Sequence, residues 1–414
     1  MPLMSPVVEK LIRPTVLAML LAWERWESGV DCELLSEDAR TDPYEVYRRL
    51  RSADPVHRMR TIDAWALTRY RDVEGVLRDH ERFSNVDRFF QETIPLSLLE
   101  LDPPEHTRLR SLVSKAFTPK AVAMLHGRIQ KIADERLDAV AGASRFDLVA
   151  ALGYPLPVTV IAEMLGVRPS DLDLFKGWSD AVALSVNALL TADQIRAAKF
   201  AASEIHAYFE TIVEERRRQP REDLVSALLA AEEEGDRLTR DEMLAVLLLI
   251  LVAGNETTRN LIGNGMLALL RHPDQLQRLR EDPSLLHPAV DELLRYDSPV
   301  QFSDRTVRQD MEIGGKRVRT GQRVVAMIGA ANRDPERFDD PDTLDIGRGE
   351  KSHLSFGRGI HYCLGASLAV LEARIAFATL LHRFPSITLA AEPRYRDGVA
   401  LRGVEQLWIE VERT

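Results

Sequence analysis

Residues 352–370, Ser-His-Leu-Ser-Phe-Gly-Arg-Gly-Ile-His-Tyr-Cys-Leu-Gly-Ala-Ser-Leu-Ala-Val, set one cysteine where a glycine-rich loop turns into an apolar helix. That cysteine is Cys363. Gly357 and Gly359 let the loop take backbone angles that other residues resist, and let a flat ligand come close to the main chain. From Leu364 to about Leu381 the residues are strong helix formers, so the sequence places Cys363 at a helix N-terminus. Unpaired N–H groups and the macrodipole favour an anion there, and the sulfur is expected to be a thiolate. A buried structural thiol is the plainer alternative, since free cysteine is among the most buried residue types.

The neighbours of Cys363 separate these two readings. Phe356-Gly357-x-Gly359-x-His361-x-Cys363-x-Gly365 resembles the haem-binding signature of the cytochrome P450 family, with every fixed position of that pattern filled. The resemblance implies that Cys363 is the proximal iron ligand of haem b, that Phe356 packs beside the sulfur, and that Gly357 and His361 belong to the cofactor loop. In that family thiolate ligation pushes electron density onto iron and favours O–O cleavage.

Composition frames the rest. The 414 residues are enough for one large domain or two average ones, and long enough to bury a sizeable core. Lys and Arg number 54 against 64 Asp and Glu, a net charge of −10, which argues against a general binder of nucleic acid or anionic membrane. The two cysteines, Cys32 and Cys363, imply no disulfide framework and suit a reducing cytoplasm. The apolar runs Thr15–Trp23 and Met243–Ala253 are too short to span a bilayer, and nothing near the N-terminus reads as a signal peptide or membrane anchor. Residues 1–40 are expected to form an amphipathic leader packed on the body.

Along the chain, residues 44–53 read as a helix, Pro55–Arg60 and Ala64–Thr68 as a hairpin, and Arg71–Asp79 as a short helix. Residues 84–101 carry Phe89, Phe90, Leu96 and Leu98 without clean periodicity, as a loop lining something or simply packed. Asp102-Pro103-Pro104 reads as a helix start, with Asp102 as N-cap. His106 and Arg110 follow four residues apart, on one face, able to reach a single anionic partner or to sit on a solvated surface. The family resemblance has this pair, with Arg305, gripping haem propionates. Helical patterns fill Ala121–Arg218, broken at Gly153-Tyr154-Pro155 and Pro169-Ser170. Within them 171–192 reads as a core helix pair or, by the resemblance, as the roof over a substrate.

Thr239 and Glu242 form a capping box at the start of the longest helix, whose apolar run ends at Ala253-Gly254-Asn255-Glu256-Thr257-Thr258. The Thr257 hydroxyl is placed to bond the Ala253 carbonyl and, with Gly254, to open a groove. The hexapeptide resembles the family's oxygen-activation motif, with Glu256 as acid and Thr257 as alcohol, and the resemblance sets Ala253 against haem. Glu292 and Arg295 are an i,i+3 pair; with Arg348 they match the family's buried structural network. Ile313-Gly314-Gly315-Lys316 reads as a hairpin turn and Arg323–Ile328 as a strand. Gly398–Ile409 reads as a terminal hairpin turning near Gly403-Val404-Glu405 into the pocket.

Taken whole, the resemblance implies a mainly α fold with a smaller β-rich region, one domain over residues 1–414, and haem between the Thr257 helix and the helix after Cys363. It implies a monooxygenase that inserts one atom of O₂ into a C–H bond of a hydrophobic small molecule. Electrons would come from a separate ferredoxin and ferredoxin reductase, since only 51 residues follow Cys363. Arg108, Lys115, Arg128 and Arg358 are the cations expected to receive the ferredoxin. Phe89, Phe90, Leu96, Leu98, Val182, Val186, Leu249, Ile250, Val300 and Val404 are the expected pocket wall, with terpenoids or steroids as substrates. A fatty acid held by Arg88 is the alternative. A haem-thiolate protein that binds ligands without turnover is the rival class, and the acid-alcohol pair argues against it.

Overall fold

The computed structural model describes residues 6–34, 36–86, 98–115, 117–184, 191–231, 236–396 and 398–412. Arg88, Phe89, Phe90, Leu96 and Val186 lie outside them. Helices dominate, and the long helix Arg240–Arg271 is their axis. Its start follows from sequence: Thr239 Oγ1 accepts the Glu242 N–H at 3.3 Å, and Glu242 Oε2 accepts the Thr239 N–H at 2.8 Å. By length and apolarity this helix qualifies to cross a membrane, but 72% of its most apolar window is buried inside the protein. Helices Pro155–Met164, Leu172–Leu184, Leu286–Tyr296 and Ala366–Arg383 pack around it in one apolar core. Gly254 lets Pro155–Met164 approach closely, since a Cβ there would stand 2.7 Å from Ile161 Cδ1.

The β-rich region lies to one side. β1 (Val56–Met59) and β2 (Ala64–Leu67) form the expected hairpin. β3 is the short strand Phe83–Ser84, and β4 is Arg145–Asp147. β5 (Ser303–Val307) continues the first sheet, while β6 (Met311–Ile313) and β7 (Lys316–Val318) flank the Gly314-Gly315 turn. β8 (Arg323–Ala326) runs parallel to β2, which gives the sheet order β1-β2-β8-β5-β3. β9 (Ser386–Leu389), β10 (Arg394–Tyr395), β11 (Val404–Gln406) and β12 (Trp408–Glu412) complete the chain. β10 pairs with β11, and β12 lies between β4 and β9.

Two elements depart from the sequence reading. The leader is a single helix, Pro6–Ser28, that turns a carboxylate inward and tryptophans outward. Glu24 is 1% exposed, whereas Trp23 is 49% and Trp26 83% exposed. The surface it meets offers donors, so Glu24 accepts from the Cys32 N–H (3.0 Å) and the Arg60 N–H (2.6 Å) and contacts His57 Nε2 (3.3 Å). The terminal hairpin also turns earlier than expected. Arg396 N–H bonds the Gly403 carbonyl at 3.0 Å, and Val404 and Glu405 lie within β11.

Candidate active site

The loop before Cys363 is closed by a Cys363 N–H bond to the Phe356 carbonyl, 2.9 Å. Gly359 has φ +71°, and a Cβ there would stand 2.8 Å from the Leu77 carbonyl oxygen of the helix Tyr70–Arg78, so backbone angle and space both demand glycine. A buried ionic network supports the loop from behind. Arg295, fully buried, donates twice to Glu292 (2.7 and 2.8 Å) and to the Asn332 and Pro341 carbonyls (2.9 and 2.7 Å). Arg348 Nε adds a bond to Glu292 at 3.2 Å. Asn332 then accepts the Leu354 N–H (2.7 Å) and donates to Ser355 Oγ (2.9 Å), which carries the tie into the cysteine loop.

The helix beyond starts at Ala366, so Cys363 precedes its first turn. Burial pushes the thiol up, with the Gly365 N–H and the Arg110 charge pulling the other way. The helix end alone therefore does not make the expected thiolate. A metal ion would, because coordination deprotonates a thiol outright.

His106, Arg110, Arg305 and His361 come together beside this loop. The His106 and His361 rings lie 4.1 Å apart, and Arg110 Nη2 donates to the Tyr362 carbonyl at 2.6 Å. Among the described residues, Arg305 Nη1 bonds local groups, Ser303 Oγ (2.7 Å) and the Asp304 carbonyl (2.6 Å), and both ring nitrogens of His106 and Nε2 of His361 are buried with no hydrogen-bond partner. Burial and then the neighbouring His106 and Arg305 charges push His361 down to about 3, while burial pulls Arg305 down to about 10. Two guanidiniums and two imidazoles able to donate hydrogen bonds thus converge beside the cysteine loop. The two carboxylates of a haem would satisfy them, so these residues fit that cofactor. Asp102 does not cap this helix as expected. Its carboxylate is taken by Ser84, Arg308 and the Asn85 N–H (3.0 Å), and the helix runs from Glu105.

On the long helix, Leu249, Ala253 and Thr257 recur every fourth residue and stay partly or fully open, while the residues beside them, apart from Gly254, are buried. The Thr257 hydroxyl donates to the Ala253 carbonyl at 2.8 Å as anticipated, yet the helix stays α-helical throughout and no groove opens. Ile250 borders the stripe, and Val300 is half-buried, bridged to Leu401. Leu98 and Val182 are packed in the main core. Phe175 joins them there, its ring 5.7 and 5.5 Å from those of Tyr208 and Phe209, which favours the core helix pair for that stretch. Val404 belongs elsewhere: a Cβ on Gly263 would stand 2.8 Å from Val404 Cγ2, so it packs on the long helix beyond the stripe and not in the pocket.

Glu256 is buried and turned toward the C-terminal hairpin, where Arg396 Nη1 donates to it at 2.6 Å. Sequence reasoning missed Arg396 and gave no sign of it. It also missed Glu372, a fully buried carboxyl that burial pushes up to about 8 against a bond from Thr258. A lone acid in the apolar run after Ala366 was the available clue. The basic patch expected for a ferredoxin is largely neutralised: Arg108 pairs with Asp236 (3.0 Å) and Glu242, Arg128 with Glu163 (2.7 Å), and Arg358 with Glu74 (3.7 Å).

The family model of cytochrome P450 matches residues 55–394. Cytochrome P450 107B1 of Saccharopolyspora erythraea is 43% identical over 389 residues, which are 88% of this chain and 94% of that relative. The solved structure of CYP109E1 from Bacillus megaterium in complex with testosterone is 38% identical with a TM-score of 0.83, covering 89% of this chain and 99% of that one. P450BioI, in complex with hexadec-9Z-enoic acid ligated acyl carrier protein, is 36% identical with a TM-score of 0.86, covering 91% and 99%. Matched over most of its length in sequence and in fold, the chain belongs to the cytochrome P450 family of monooxygenases, whose cofactor is thiolate-ligated haem b.

Proposed function

We propose that this enzyme hydroxylates a C–H bond of a compact, neutral hydrophobe of terpenoid or steroid kind, in the cytoplasm, with electrons from a separate ferredoxin and its reductase. Cys363 ligates the iron. His106, Arg110, Arg305 and His361 hold the propionates, Phe356 and Gly357 shape the loop around the sulfur, and Ala253 lies against the opposite face. Haem, when bound, supplies dioxygen binding and one-electron chemistry. Thr257, on the open stripe, would offer its hydroxyl oxygen as a hydrogen-bond acceptor toward the haem site while its own proton stays on the Ala253 carbonyl, and Glu256 on the same turn would hold and exchange protons there. The chain acts as one domain, with Glu292, Arg295 and Arg348 structural.

The observation that carries the substrate class is the uncharged face formed by Leu249, Ala253 and Ile250. Burying apolar surface there gains about 25 cal/mol per Å², whereas an unpaired buried carboxylate costs several kcal/mol. Candidate partners for such a carboxylate are engaged: Gln301 with Tyr47 and the Ser298 carbonyl, and Glu405 with Arg394. The relative holding testosterone supports this choice. The relative holding a fatty acyl chain supports the alternative, in which Arg88 would meet a carboxylate. Spin-state titration of the ferric enzyme with neutral steroids, terpenes and fatty acids decides between them. Tighter fatty-acid binding that Arg88→Ala removes would overturn the neutral-hydrophobe reading.

A further inference from the structure

Glu256 sits in a buried polar cluster drawn from four places in the chain. Arg396 Nη1 of the C-terminal hairpin donates to Oε1 at 2.6 Å, and Arg259 Nη1, one turn along the long helix, stands 3.6 Å from Oε2. Arg259 lies over the Tyr154 ring, 5.3 Å from its centroid, and reaches the Glu405 carbonyl at 3.4 Å. The Tyr154 hydroxyl donates to Asp180 Oδ2 of the helix Leu172–Leu184 at 3.2 Å, and Asn255 Nδ2 donates to Ser179 Oγ at 3.4 Å. Both guanidiniums therefore meet Glu256, while Asp180 joins the cluster through Tyr154. Burial and then the Glu256 charge hold the Asp180 carboxyl above its ordinary range, with Arg396, Arg259 and Tyr154 pulling it back.

The cluster is also incomplete. Glu256 Oε2, Asp180 Oδ1, Asn255 Oδ1 and Arg259 Nε are buried without a hydrogen-bond partner among the described residues. Buried polar atoms nearly always have one, and a polar void is where ordered water settles. Four such atoms, one of them on Glu256 itself, are the donors and acceptors that an ordered water would need on the side of the helix away from the Thr257 stripe.

We propose that Arg396 and Asp180 are positioning residues of the proton supply: Arg396 anchors the Glu256 carboxylate against this water, and Asp180 keeps the cluster balanced at two charges of each sign. Glu256 then takes a proton from the water, whose hydroxide is reprotonated from bulk solvent, and passes it to an acceptor hydrogen-bonded to the Thr257 hydroxyl, so that carboxylate and water are both regenerated and no other bond changes. Removing Arg396 leaves an excess negative charge and a loose acid. Removing the Asp180 charge leaves two guanidiniums on one carboxylate, and that excess positive charge keeps it from taking up a proton. This inference rests on Glu256 being the acid of the acid-alcohol pair.

The test uses the haem-loaded enzyme with its electron carrier and the compound that gives the largest spin shift. Arg396→Gln and Asp180→Asn are each expected to lower coupled turnover roughly tenfold, the low end of what a positioned proton donor contributes. Each should raise the solvent hydrogen isotope effect and leave the spin-shift affinity within about twofold of the parent. Arg396→Lys should restore most of the turnover. The double variant, balanced again at one charge of each sign, should perform better than either single variant, whereas merely structural damage would add. Infrared titration of the ferric protein gives a readout independent of turnover: a protonated-carboxyl band titrating above the ordinary aspartate value of about 3.9 should vanish in Asp180→Asn and move to higher pH in Arg396→Gln. Unchanged isotope effects in both single variants, or additive losses in the double, overturn the inference. If Glu256→Gln itself leaves coupling intact, the acid assignment fails instead, and the two failures are thereby distinguished.

Discussion

His57 couples the stability of the N-terminal helix to pH. The ring is 1% exposed, with Nε2 3.3 Å from Glu24 Oε2 and Nδ1 3.1 Å from Asp54 Oδ2. Burial disfavours its charge, but hydrogen bonds and attraction from Asp54 and Glu24 outweigh that and raise its pKa from 6.5 to about 9. Below 6.5 the folded and unfolded rings are both protonated, and the stabilisation is complete. Between 6.5 and about 9 the folded ring keeps a proton that the unfolded ring releases, so stability falls as pH rises, and above about 9 the gain is gone. The rise from 6.5 to about 9 sets an upper bound of about 3–4 kcal/mol. His57→Gln keeps some hydrogen bonding and loses the charge. Guanidinium unfolding of the holoenzyme from about pH 6 to about pH 9.5 should show the variant less stable by up to about 3–4 kcal/mol at the acid end, with the two curves converging near pH 9. Comparing parent with variant cancels the titrating groups that do not meet His57, leaving only the ring and its partners Glu24 and Asp54. Parallel curves across that range would refute the reasoning.

Three other outcomes follow from single contacts. Glu372 is held neutral to about pH 8, so it stabilises the fold fully only below its unfolded value and loses that gain as pH rises toward 8; Glu372→Gln should remove that alkaline decline, and a persisting decline would show another group is responsible. Gly359→Ala meets both φ +71° and the Leu77 carbonyl at 2.8 Å, for about 1–3 kcal/mol of strain; lower haem content and a smaller carbon monoxide difference band are the measurements, and full haem loading would contradict it. Glu292→Gln leaves Arg295 and Arg348 without their carboxylate, a loss of about 3–5 kcal/mol for a broken buried pair; a holoenzyme that melts like the parent would show the network to be idle.

Where a feature depends on neighbours in sequence, the chain could be read directly. The capping box at Thr239, the Thr257 bond to Ala253 and the Gly314-Gly315 turn are all fixed by spacings of two to four residues, because backbone geometry sets which groups can meet over such distances. The Glu292, Arg295 and Arg348 network was legible only through its family pattern, since Arg348 joins from 56 residues away. What tertiary structure decided was the partner and the electrostatic state of each charged group. Arg396 reaches Glu256 across 140 residues, Glu24 turns inward because Cys32, His57 and Arg60 present donors, and the Arg108 and Arg128 charges are spent on acidic neighbours. The Cys363 thiol is set by burial more than by its place before a helix. Sequence spacing fixes which residues share a turn or a helix face; long-range folding fixes how much water each charge loses and which opposite charge replaces it.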